Sequence, residues 1–165
     1  MGEEGGIMKL THFDKDGRSR MVDVSDKKIT RREAVAKGSI FMKRETLRLI
    51  KDRRISKGDV LGVAKIAGIM GAKRTSEIIP MCHPLSIDAV EIKFNMDEKK
   101  NRIDIEARVR VEAKTGVEME ALTAVMVSAL TIYDMCKAVD KEMVISDICL
   151  VEKRGGRSGV YKIRV

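Results

Sequence analysis

The stretch AVEIKFNMDEKKNRIDIEARVRV, residues 89–111, decides the fold. Val90, Ile92, Phe94 and Met96 alternate with Ala89, Glu91, Lys93 and Asn95, while Ile103, Ile105, Ala107, Val109 and Val111 alternate with Asp104, Glu106, Arg108 and Arg110. A period of two sends successive side chains to opposite faces, so both runs read as strands with one buried face. The charged connection at residues 97–102 joins them as a hairpin. Working back, Ala34, Ala36, Gly38, Ile40 and Met42 alternate with Val35, Lys37, Ser39 and Phe41, a strand with small residues on one face. Residues 43–52 read as a short helix, and Ser56-Lys57-Gly58-Asp59 has the spacing of a capping box that opens a second helix running to about Ala72. Gly62, Ala64, Ala67 and Gly68 crowd that helix and allow a neighbouring backbone to come close. Thr75 or Ser76 can cap a last turn before the next loop.

Working forward, Thr115-Gly116-Val117-Glu118 is a second capping-box pattern, and residues 119–139 form the longest helical candidate. Residues 143–153 and 160–165 read as two further strands joined across Gly155-Gly156-Arg157-Ser158-Gly159. The order strand, helices, hairpin, helix, strand gives an α+β architecture, with helices packed on one face of a mainly antiparallel sheet. Residues 1–20, polar and glycine-punctuated, read as a flexible lead-in; residues 21–165 read as a single domain without internal repeats.

The chain has 165 residues, 44% hydrophobic and 35% charged, enough for one core. No apolar stretch approaches the ~20 residues of a membrane span, and Met1 to Gly6 lacks the basic and then apolar order of a secretory start. The expected location is cytoplasmic, with no membrane partner. Cys82, Cys136 and Cys149 fit neither a disulfide framework nor close-paired metal ligands, so they read as reduced thiols. A formal charge of +8 calls for an anionic partner. With no Trp, three Phe and two Tyr, the stacking surfaces of single-strand binders are scarce, which favours a small phosphorylated ligand over nucleic acid.

Four groups of residues could carry chemistry. Both prolines bracket Met81-Cys82-His83 in a stiffened loop that could hold a ligand; taken alone, that loop reads rather as a helix stop followed by a strand start, with His83 a partly buried, satisfied residue. Asp134 and Lys137 share a helix face and form either a structural ion pair or a proton-transfer pair, with Tyr133 four residues before the lysine. Glu118, Met119 and Glu120 occupy the first turn of the same helix, where carboxylates are favoured by the helix dipole alone. Lys57, Lys73-Arg74 and Arg157 in its glycine loop are candidates for phosphate contacts, with Lys27 and Arg32 lesser ones. Glu120 and Asp134 lie fourteen residues apart, or roughly 21 Å along a helix. Two antiparallel copies about a two-fold axis could bring these ends together, so the expected sites are composite, between subunits.

MVDVSDK (21–27), KGDVLGVAKIAGIMGAKRTSEIIPMCHPL (57–85), KTGVEMEALTAVMVSALTIYDMCKAVDK (114–141) and GGRSG (155–159) together resemble the MoaC family, the cyclic pyranopterin monophosphate synthases of molybdenum cofactor biosynthesis. The resemblance implies a ferredoxin-like subunit assembled as dimers into a hexamer, with sites at the dimer interfaces. It also implies a lyase of the phosphorus-oxygen type that rearranges 3′,8-cyclo-7,8-dihydro-GTP and releases pyrophosphate. Carried over, the catalytic residues fall on Asp134, Lys137 and Lys57, and substrate binding on Met81, Cys82, His83, Glu118, Met119 and Glu120. Lys73, Arg74 and Arg157 would face the triphosphate. No cofactor is required by the sequence, although Mg²⁺ could accompany the triphosphate. Two positions depart from the family pattern: Arg157 stands where lysine is usual, and Asp26 where a small residue is common. Arginine binds phosphate but is no substitute for an ammonium in proton transfer. A basic RNA-binding module and an inactive regulatory protein of the same fold are the rival readings.

Overall fold

Strand β1 (Thr30–Phe41) runs through the middle of a five-stranded sheet because its inward positions are Ala34, Ala36 and Gly38. A Cβ on Gly38 would lie 2.8 Å from Val125 Cγ1, so its absence sets how closely the longest helix can cross the strand. The computed structural model describes residues 16–164; most of the expected lead-in at residues 1–20 therefore lies outside the described residues. After β1 come α1 (Arg44–Lys51), α2 (Val60–Lys73), the single turn α3 (Thr75–Ile78), the hairpin β2 (Ala89–Asp97) and β3 (Arg102–Ala113), α4 (Glu118–Cys136), β4 (Val144–Arg154) and β5 (Tyr161–Lys162). The sheet order is β2-β3-β1-β4-β5 with every pairing antiparallel, the ferredoxin-like arrangement.

The period-two reading holds along β3, whereas in β1 the outward Val35 and Ser39 are buried as well. Ile103, Ile105, Ala107, Val109 and Val111 are all buried against α4, as are Ala34, Ala36 and Ile40 from β1. The outer face carries ion pairs instead: Lys37–Glu106 at 3.1 Å, Arg108–Glu33 at 2.6 Å and Arg110–Glu91 at 2.6 Å. α2 lies antiparallel across α4, fastened where Ser128 Oγ donates to the Ala64 carbonyl at 3.1 Å. The small-residue stripe works as expected there: a Cβ on Gly68 would run into Ser128 Oγ and meet the Ala124 carbonyl at 2.9 Å.

The helix starts differ from the sequence expectations. Asp59, not Ser56, caps α2, its carboxylate accepting from the Gly62 N–H at 3.1 Å. Gly58 at φ 98° stands outside right-handed helical space, so the helix cannot begin before Asp59. No side chain caps α4, whose first residue is Glu118 and whose end at Cys136 falls short of residue 139. Thr75 starts no cap either; its hydroxyl donates back to the Gly71 and Ala72 carbonyls at the end of α2. β1 begins at Thr30 rather than 34 because cross-strand pairing with Ala113 and Glu112 extends it into polar sequence. The expectation that no stretch approaches a membrane span also needs amending. α4 has the length and apolar character for one, but 56% of the apolar window is buried inside the protein, as in a core helix.

Asp140 joins the end of α4 to the start of α1. Its carboxylate accepts from the Lys43 N–H at 2.8 Å, Thr46 Oγ1 at 3.1 Å and the Glu142 N–H at 3.0 Å. Burial pushes its pKa up, but these hydrogen bonds outweigh burial and hold it below the usual value.

Candidate active site

Antiparallel packing of α2 on α4 places the turn before α2 beside the last turn of α4. Asp134 there receives two ammonium groups: Lys137 Nζ is 2.7 Å from Oδ1, and Lys57 Nζ is 3.1 Å from Oδ2. Lys57 Nζ also donates to the Asp134 carbonyl at 2.9 Å, at the negative end of the helix dipole. The hydrogen bond from Lys137, with that from Lys57, holds the Asp134 carboxyl below its ordinary pKa; the bond to Asp134 raises that of Lys137. Sequence spacing identified the Asp134–Lys137 pair. It did not show that Lys57, 77 residues away, completes a triad. Tyr133 stays out of it, its hydroxyl donating to the Lys141 carbonyl at 3.2 Å. Within one protomer half of the Lys137 side chain is exposed.

At the opposite end of α4, Met81, Cys82, His83, Glu118, Met119 and Glu120 all line one cavity of about 260 Å³, joined by Val22, Val24 and Lys27. The two-proline loop therefore delivers its imidazole to the same place as the helix start. Glu120 is only 4% exposed, and burial, reinforced by the charge of Glu118, pushes its pKa up. Burial and Glu120 likewise raise the Cys82 thiol.

A basic groove of about 560 Å³ adjoins this cavity, with Lys27 lining both. Lys28, Thr30, Arg32, Gly156, Arg157 and Ser158 line it, together with Asp26. Arg32 is held rigidly, Nε donating to the Ala113 carbonyl at 3.0 Å and Nη2 to the Lys114 carbonyl at 2.9 Å. Gly155 and Gly156 at φ 95° and 72° wrap the 155–159 loop around the start of β1. Lys27 and Arg32 thus stand at the centre of the basic surface although the sequence ranked them low; Lys28 and Thr30 were not singled out. The signal lay in the alternation of Lys28, Thr30 and Arg32 as β1 begins. Lys73 and Arg74, exposed at the end of α2, line neither cavity of the protomer.

The candidate residues fall into two half-sites, one at each end of α4. Between them runs an apolar surface formed by Ile78, Met119, Leu122, Met126, Leu130, Ile145 and Ile148. Met126 is 53% exposed and Leu130 61%, unusual for the middle of a core helix. Among the described residues, no group of three or more His, Cys, Asp or Glu is placed to hold a metal ion.

Fold and side chains together define a ferredoxin-like α+β protein with a lysine–aspartate–lysine triad and a carboxylate cavity opening onto a basic groove. The chain belongs to the MoaC family, whose family model matches residues 21–156. It is 62% identical over 158 residues to the cyclic pyranopterin monophosphate synthase of Thermoanaerobacter pseudethanolicus, covering 96% of this chain and 100% of that protein. The protein of the same name from Heliobacterium modesticaldum is 64% identical over 152 residues, covering 92% of this chain and 96% of that one. For Chloroflexus aurantiacus the identity is 60% over 154 residues, covering 93% and 94%.

Proposed function

We propose that this chain is a cyclic pyranopterin monophosphate synthase, a lyase that converts 3′,8-cyclo-7,8-dihydro-GTP to cyclic pyranopterin monophosphate and releases pyrophosphate in molybdenum cofactor biosynthesis. The observation that carries the reading is the near full-length identity to proteins of that name. The two half-sites supply groups suited to it. Lys137 and Lys57 would move protons as the purine-derived ring opens and recloses. Asp134 keeps Lys137 charged, so it begins as a general acid. His83, Glu118 and Glu120, with Met81, Cys82 and Met119, would hold the base and sugar.

Lys27, Arg32 and Arg157 would neutralise the triphosphate while an internal hydroxyl attacks the α-phosphorus. The new O–P bond closes the cyclic phosphate; the bond from the α-phosphorus to the bridging oxygen breaks, and pyrophosphate leaves with that electron pair. Lys73 and Arg74 would join from a neighbouring copy. Mg²⁺, if it enters, comes as a counter-ion on the phosphate oxygens and not as a resident group.

The two half-sites would meet across a dimer, with the apolar surface of α4 buried against a second copy and three such dimers forming a hexamer. Enclosure would desolvate Lys137 and ease its loss of a proton. The enzyme would work in the cytoplasm, without nucleic acid or membrane. Purified protein incubated with 3′,8-cyclo-7,8-dihydro-GTP is expected to yield pyrophosphate and the pterin product. Absence of both from folded, oligomeric protein would refute the reading. Salt-steep binding to long RNA without turnover would favour the RNA-binding alternative.

A further inference from the structure

Near its end, β4 points a lysine toward the core. Lys153 pairs with Ala34 of β1, and Ala34 is buried beneath the helices, so strand geometry directs Lys153 to the helix layer and away from the charged outer face. The side chain is only 22% exposed. Its ammonium lies 3.8 Å from Glu118 Oε1 and donates to Ser158 Oγ. Glu118 lines the carboxylate cavity, Ser158 the basic groove, and Lys153 itself lines neither.

From this placement we infer that Lys153 is a positioning residue that couples the two compartments, holding the Glu118 carboxylate and the 155–159 loop in register through one half-buried charge. An ammonium has three donors and no acceptor. By donating to Ser158 Oγ it occupies that oxygen as an acceptor and leaves the hydroxyl proton to point at an anion in the groove. Its attraction for Glu118 orients that carboxylate at the start of α4. An anion settling on the loop is therefore felt at Glu118, and the charge of Glu118 is felt at the loop.

The inference rests on the reading of the groove as a phosphate site, and inorganic pyrophosphate probes it without requiring turnover. Its Kd is measured by calorimetry for the unaltered chain, Lys153→Met, Glu118→Gln and the double variant, with circular dichroism and size to verify assembly. Lys153→Met is expected to weaken binding by about two- to tenfold, the lower part of the span for groups sharing one network. Glu118→Gln is expected to change Kd when Lys153 is present and to leave it unchanged once Lys153→Met is in place. Lys153→Arg restores most of the binding and also stands in if Lys153→Met does not assemble, since its longer fork still reaches Ser158 but alters the Glu118 coupling. A side chain that merely fills space gives additive effects, and additivity overturns the inference, as does an unaltered chain that binds no pyrophosphate. Turnover of the cyclic dihydro-GTP is followed alongside. Turnover with an additive cycle sinks the coupling alone, whereas a coupled cycle without turnover sinks the reaction assignment alone.

Discussion

Asp134 accepts from two lysines that belong to different elements, and the ionisation of this trio sets what it can do. The lowered pKa of Asp134 makes its ion-pair contribution present above the unfolded value of 3.8 and lost only as pH falls through the still lower folded value. Lys137 is the converse: its contribution is present below 10.5 and lost as pH rises through the raised folded value. The pair therefore stays charged across the neutral range. Lys57→Ala and Lys137→Ala are each expected to lower kcat by about 10²–10⁴-fold, the worth of a positioned proton-transfer group. Both side chains are about half exposed, so the midpoint of a denaturant titration should scarcely move. Glu120 behaves in the opposite sense. Its pKa is raised by burial, so the neutral form is favoured in the fold, and ionisation opposes folding increasingly as pH rises past the unfolded 4.5 and through the folded value. Glu120→Gln should raise Tm at pH 7, lose that gain near pH 4, and reduce turnover; an equal Tm shift at both pH values would show that burial of the charge is not the cause. Much of this was readable from the chain: Asp134–Lys137 from helical spacing, and Lys57 and the two glutamates through the family resemblance. Arg32 and Lys27 were ranked low because a basic side chain gains meaning from what fixes it, and the carbonyls that clamp Arg32 come from residues 113 and 114.

The crossing of α2 over α4 positions the triad, because it sets how near Lys57 comes to Asp134. Gly68 lies in this crossing, and Gly68→Ala would drive a methyl group into Ser128 Oγ, Ile92 Cδ1 and the Ala124 backbone. Overpacking of this kind costs about 1–3 kcal/mol. The urea midpoint should fall accordingly, and kcat should fall with it as the helices part; a midpoint unchanged within error would mean that the crossing relaxes freely. The small-residue stripe and the alternating strands were legible because they reflect local periodicity that burial enforces. The caps were misplaced for a physical reason. Serine, threonine and aspartate all carry capping oxygens, and the choice of Asp59 over Ser56 turned on the left-handed backbone of Gly58 between them. The expected cap of α4 is missing because the helix begins at Glu118, with Val117 and not Thr115 at its N-cap position. Glu118 therefore stands in the first helical position, not three residues after the cap, and its carboxylate faces Lys153 and the cavity.

The whole molecule divides its candidate site between the two ends of one long helix. A 19-residue α4 with Glu120 near its start and Asp134 near its end keeps the two half-sites roughly 21 Å apart. The exposed Met126 and Leu130 lie between them on a surface suited to a second copy. If that copy docks about a two-fold axis, each complete site takes Lys57 from one chain and Glu120 from the other. Lys57→Ala and Glu120→Gln homodimers would then both be inactive. In a mixed dimer one site carries both lesions and the other carries neither. Random exchange of equal amounts makes half of the dimers mixed, so about a quarter of the unaltered activity should return. The measurement is turnover after denaturing and refolding the two variants together, with mass spectrometry of intact dimers to establish exchange. If Lys57 and Glu120 act from the same chain, each site in a mixed dimer carries one lesion and activity stays at the level of the single variants. Exchange without rescue would therefore reject the partition while leaving the fold and family untouched.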